Sequence, residues 1–138
     1  MTFLAYTDGA SRGNPGESGI GILVKDERGG TVLSASGYIG RTTNNQAEYI
    51  ALLALLKRAR SMDCARLIVH SDSELMVKQM NGEYKVKNEE IRKYRQKVQK
   101  LLGICPFEVE IRHIPRELNG EADKLANQGI ESRKRIRI

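Results

Sequence analysis

Apolar and polar positions along the N-terminal third of the chain fall into short runs with the period of extended structure. Phe3 to Thr7, Gly19 to Lys25 and Thr31 to Ile39 read as strands. The second and third are joined at DERGG, a glycine-bearing turn suited to a hairpin, so they are expected to pair antiparallel. From Asn44 to Arg60 the period becomes helical: Leu52, Leu55, Leu56 and Ala59 recur at i, i+3, i+4 and i+7, the stripe of a helix that covers a sheet. RLIVHSD, Arg66 to Asp72, is a continuous apolar run of the kind found in strands buried on both faces, and it leads into a short helix from Ser73 to Met80. A further helix over Glu89 to Leu102 carries the stripe Ile91, Tyr94, Val98 and Leu101. FEVEIRHI alternates as a last strand, and Glu121 to Ile130 forms a last helix with Leu125, Ala126 and Gly129 available for packing. The order βββαβααβα predicts an α/β fold, a mixed five-stranded sheet with helices on its faces. No internal repeat or low-complexity linker interrupts it.

Composition narrows this picture. A chain of 138 residues, 40% of them hydrophobic, suits one domain over 1–138 with a single core. No apolar run reaches the ~18 to 20 residues of a membrane span, and the start has no secretory leader. A soluble cytoplasmic monomer without membrane contact is therefore expected. Cys64 and Cys105 lack metal or redox spacing and are read as ordinary buried thiols in preference to a disulfide. Lys and Arg outnumber Asp and Glu by 23 to 17, for a charge of +6 and a pI near 9.5, which favours an anionic partner such as nucleic acid without establishing one. The excess is concentrated between Lys85 and Lys100, where seven cations meet only Glu89 and Glu90; this is either a solvated helix face or part of a binding surface.

The acidic residues change the picture most. Asp8 is expected at the C-terminal end of the first strand and Asp72 at that of the fourth, the edge where open α/β sheets carry their sites. Glu48 precedes Leu52 by four residues and shares the face of the core stripe. Asp123 opens the last helix near its buried side. Each has a plain explanation: Asp8-Gly9 as a turn opening, Asp72 as a cap for the short helix with Ser71 and Glu74 as a capping box, Glu48 and Asp123 as charges at a helix's positive end. Jointly, four carboxylates at one rim would repel one another unless a cation lay between them. An oxygen-only set favours a hard ion, Mg²⁺ or Mn²⁺.

YTDGASRGNPG, RTTNNQAEYIAL, VHSDSELMVKQMNG and PRELNGEADKLAN follow one another along the chain, each holding one of these carboxylates. In this order they resemble the motifs of ribonuclease H type 1, over roughly Tyr6 to Gly129. The resemblance implies a ribonuclease H-like sheet with its first three strands antiparallel and helices on both faces. It implies an endonuclease that hydrolyses the RNA strand of RNA/DNA hybrids, leaving 5′-phosphate and 3′-hydroxyl ends. It further implies two Mg²⁺ ions, replaceable by Mn²⁺, about 4 Å apart. By similarity Asp8 would bridge both ions, Asp123 would help hold the one that activates water, and Glu48 and Asp72 would hold the other. Asn14, Asn44 and Asn45 match positions that read the RNA strand, helped by amides near Gly9 and Gly13. Local turn and cap duty is the alternative for these three asparagines, while Arg41, Thr43 and Asn88 match a pocket for a phosphate of the DNA strand.

The departures are also informative. The loop before the last aspartate is short, IPRELNGEAD, which places Arg116 nearest the role that a mobile histidine plays in relatives and leaves His113 at the end of a strand. The link NGEYKVKNEEIRKY has no room for an additional basic helix, so hybrid binding would rest more on Lys85, Lys87 and the helix that follows. Tyr84 stands in for the absent tryptophan as an aromatic surface. No separate hybrid-binding domain is expected before Met1. The tail RKRIRI, residues 133–138, is either a basic arm on nucleic acid or a structural or disordered segment, with the second favoured. A catalytically silent hybrid-binding module, a ribonuclease H domain of a reverse transcriptase and an actin-like ATPase are the other readings. The full carboxylate set argues against the first and the chain length against the last.

Overall fold

Alternation along the strands decides which face each side chain joins. In the computed structural model, which describes all residues from Met1 to Ile138, ten elements follow in order. They are β1 (Thr2–Gly13), β2 (Gly16–Lys25), β3 (Thr31–Thr42), α1 (Asn44–Ala59), β4 (Arg66–Ser71), α2 (Glu74–Met80), α3 (Glu89–Ile104), β5 (Glu108–His113), a 3₁₀ turn (Arg116–Leu118) and α4 (Gly120–Ser132). The sheet runs β3-β2-β1-β4-β5. β1, β2 and β3 pair antiparallel, while β1–β4 and β4–β5 are parallel, as a β-α step requires.

Ile20, Ile22 and Val24 of β2 join Phe3, Ala5, Leu67 and Val69 beneath α1, whose Leu52, Leu55, Leu56 and Ala59 are fully buried as the period predicts. Ile91, Val98 and Leu101 of α3 close the same core from outside, and Tyr94 is only partly buried. On the opposite face α4 lies against the backbone of β2. A Cβ on Gly21 would stand 2.3 Å from the Ala122 carbonyl oxygen, and one on Gly19 would stand 2.5 Å from that of Ala126, so both positions need glycine for this approach. No helix is long and apolar enough to cross a membrane.

β1 departs from expectation in length. It continues six residues beyond Thr7, pairing with β2 from Leu4↔Lys25 to Gly13↔Gly16, and turns only at Asn14 and Pro15. Asp8 is therefore inside a strand. The parallel pairing with β4 stops at Thr7↔Ser71, so Asp8 is the first β1 residue past that ladder, and its rim position survives for a different reason. The cysteines are free thiols, as expected, but half-buried. The tail is structural: the Tyr38 N–H donates to the Lys134 carbonyl at 2.8 Å, the Ile136 N–H donates to that of Tyr38 at 3.3 Å, and Ile136 packs on the core. Residues 81–88 pass from α2 to α3 without a helix, held by Arg92 on the Val86 carbonyl and Arg95 on that of Gln79.

Candidate active site

Thr43 starts α1 with a reciprocal cap, in which its hydroxyl accepts from the Gln46 N–H and the Gln46 side chain accepts from the Thr43 N–H. One turn on, the helix backbone meets β1 so closely that a Cβ on Gly9 would lie 2.3 Å from the Ala47 carbonyl carbon. That contact places Glu48 beside Gly9, whose N–H donates to Glu48 Oε1 at 2.7 Å. Glu48 and Asp8 are 8% and 5% exposed.

Asp72 follows β4 directly. It does not cap α2, because Ser73 takes that role by accepting from the Met76 N–H. Its carboxylate instead accepts from Asn119 Nδ2 at 3.2 Å. Asn119, 1% exposed, also donates from Nδ2 to the Thr7 carbonyl at 2.9 Å. As the residue before α4 it makes no side-chain cap: Nδ2 donates to these two acceptors, and the buried Oδ1 accepts from no helix N–H. Asp123 lies in the first turn of α4, where Asn127 one turn later donates to its carbonyl and carboxylate.

Asp8, Glu48 and Asp72 each offer an oxygen within 4.8 Å of the others, and Asp123 stands at the same cleft, its charge acting on Asp8. All four line an open cleft of about 380 Å³ with Arg12, Arg116, Asn44 and Asn127. Burial first, then the Asp72 and Asp123 charges, pushes the Asp8 carboxyl from its ordinary 3.8 up to about 8, with Arg116 opposing. Burial and then the Asp8 charge push Glu48 well up, against the Gly9 hydrogen bond. Four carboxylates against two guanidiniums, with every donor an oxygen, fit a hard divalent cation.

The other expected residues divide in two. Asn44 lines the cleft, its Oδ1 accepting from the Ser11 N–H at 3.1 Å, and its own N–H donates to Asn14 Oδ1 at 3.0 Å, so the β1–β2 turn and the start of α1 are joined. Thr43 and Asn45 flank it, and Arg41 pairs in register with Glu17 at the end of β3. Asn88 and Lys87 lie outside the lining of this cleft, at the start of α3, where the Asn88 side chain accepts from the Ile91 N–H as its cap. His113 ends β5 and is exposed, whereas Arg116 faces the carboxylates. Tyr84 is exposed with Lys78 over its ring. Arg12, Asn119 and Asn127 are additional members of the site. Asn119 and Asn127 stand four residues either side of Asp123, a helical spacing that carried a signal; Arg12 shares a strand face with Asp8 only once β1 is seen to continue.

A family model described as reverse transcriptase-like matches residues 6–129. Ribonuclease HI of Halobacterium salinarum is 40% identical over 128 residues, covering 92% of this chain and 63% of that protein, so the chain spans somewhat under two thirds of that relative's length. The crystal structure of RNase H1 from the same archaeon superposes with a TM-score of 0.90 at 38% identity, over 96% of this chain and 99% of that one. LC11-RNase H1, solved in complex with RNA/DNA hybrid, superposes with a TM-score of 0.89 at 40% identity, over 94% and 97%. On this likeness in sequence and in fold along almost the whole chain, the chain belongs to the ribonuclease H type 1 family.

Proposed function

We propose that the chain is a metal-dependent endonuclease that hydrolyses the RNA strand of RNA/DNA hybrids, leaving 5′-phosphate and 3′-hydroxyl ends. The observation that carries this is the convergence of Asp8, Glu48 and Asp72 within 4.8 Å, with Asp123 lining the same cleft, which Asn44 borders. When bound, a pair of Mg²⁺ ions, or Mn²⁺ in their place, supplies charge neutralisation at the phosphate and at the attacking and leaving oxygens. Asp8 would be common to both ions, Asp123 would serve the one that activates water, and Glu48 and Asp72 would serve the other. The Gly9 N–H, Asn119 and Asn127 hold three of these carboxylates in place, so little rearrangement is needed on loading. Arg116 faces the cleft as a cation for the scissile phosphate and the departing product.

RNA is told from DNA by its 2′-hydroxyl, which both donates and accepts. Asn44, which lines the cleft at the head of α1, Asn45 next to it in the helix and Asn14, which holds the Asn44 N–H from the β1–β2 turn, would be the readers of that group. Arg41 and Thr43 supply a guanidinium and a hydroxyl for a phosphate of the DNA strand, and Lys87 and Asn88 extend that contact along the start of α3. The test is a panel of strand-labelled RNA/DNA hybrid, RNA duplex and DNA duplex, each with Mg²⁺, Mn²⁺ or chelator. Cleavage confined to the hybrid's RNA strand and abolished by chelator is the expected pattern; cleavage of the DNA strand, or none in the hybrid, would overturn the reading.

A further inference from the structure

A second cleft, of about 500 Å³, shares no residue with the carboxylate site. It opens between the β3 edge with its tail and the outer surfaces of α1 and α3. Its floor is apolar, with Leu53 from α1 and Ile136 from the tail, while Lys57, Lys97, Lys100 and Arg135 stand around it. No Asp or Glu is among its lining residues, which include the last residue, Ile138, and none of the four cations takes part in any of the structure's ion pairs. Lys97 and Arg135 rest over the rings of Tyr94 and Tyr38, at 5.6 and 5.3 Å.

Four unpaired cations around an apolar floor raise one another's energy, and an anion brought among them relieves that repulsion. Ordinary solvated lysines need no such floor. A volume of this size, mostly apolar with a few convergent polar groups, is that of a small-molecule site, about 300–1,000 Å³. A nucleic-acid backbone would satisfy the cations yet leave the floor empty, because phosphate and sugar bring no apolar body to fill it. We propose that this cleft binds a small anionic amphiphile: an acyl or aryl body against Leu53 and Ile136, with one carboxylate, sulfonate or phosphate head among the lysines.

The full chain is titrated with 1-anilinonaphthalene-8-sulfonate, followed by fluorescence, and the dye is then competed with decanoate, decanol, inorganic phosphate and anionic phospholipid vesicles. The expected result is saturable one-to-one binding displaced by decanoate at concentrations at least tenfold below those needed for decanol, with phosphate ineffective. The combined variant Lys57→Glu, Lys97→Glu and Lys100→Glu, at three exposed positions, should weaken the dye at least tenfold while circular dichroism shows the fold retained. Non-saturable binding, decanol matching decanoate, or an unaltered affinity in that variant would overturn the proposal. Displacement by vesicles but not by free decanoate would overturn it too, identifying a membrane surface as the partner.

Discussion

Asp8 is buried among negative neighbours, and this sets a pH dependence for the metal-free protein. Its carboxyl holds a proton up to about pH 8 in the folded chain, against an ordinary value of 3.8. Between these values the folded state binds more protons than the unfolded one, so stability falls as pH rises through the window. Glu48, shifted in the same direction, adds to the fall. Thermal melts in chelator should show Tm dropping from about pH 4 to pH 8 relative to Asp8→Asn, with Mg²⁺ narrowing the difference. Parallel profiles for the two proteins would contradict the burial argument. At neutral pH, metal-free Asp8→Asn should be the more stable protein by roughly 1–3 kcal/mol, in the range of single substitutions. Asn119 acts through its neighbour: Asn119→Ala should lower divalent-ion affinity about tenfold or more in calorimetric titration, because Asp72 then loses its donor. An unchanged affinity alongside a lowered Tm would reduce Asn119 to a purely structural role.

Among the elements, α4 and β2 are held together by what glycine lacks. Gly21→Ala would drive a methyl into the Ala122 carbonyl, and α4 would have to move outward carrying Asp123 with it. A loss of about 1–3 kcal/mol or more in denaturant unfolding is expected, with hydrolysis lost beyond the fraction unfolded. Wild-type stability in this variant would mean that α4 does not seat as closely as the structure shows. The helical stripes were legible in the sequence because burial and period coincide, as at Leu52, Leu55 and Leu56. The length of β1 was not, because Gly9 to Gly13 look like a loop when read alone and become strand only through pairing with β2. Glu48 was legible as a charge on an apolar face. The Asn119 contacts were not, since they depend on Thr7 and Asp72 arriving from distant parts of the chain.

Across the whole molecule the positive charge divides by use. Arg92 and Arg95 secure the link into α3, Lys57, Lys97 and Lys100 surround the second cleft, and Lys85 and Lys87 lie exposed and free of ion pairs. The tail extends the sheet, with Arg133 paired to Glu17 and Arg135 over Tyr38. Removing residues 133–138 should therefore lower stability by roughly 1–3 kcal/mol through the lost Ile136 packing and backbone bonds. The salt slope of hybrid binding should stay as it was, whereas loss of phosphate contacts would flatten it by about 0.9 per contact. Composition alone could not make this division, because each cation's task depends on which carbonyl, ring or apolar surface lies beside it. The central claim, that four carboxylates from separate elements form one metal-dependent nuclease centre, is tested most directly by the rate of RNA-strand cleavage in wild type and Asp8→Asn at saturating Mg²⁺. The account predicts a loss of about a thousandfold or more in a protein at least as stable as wild type; cleavage within tenfold of the wild-type rate would contradict it.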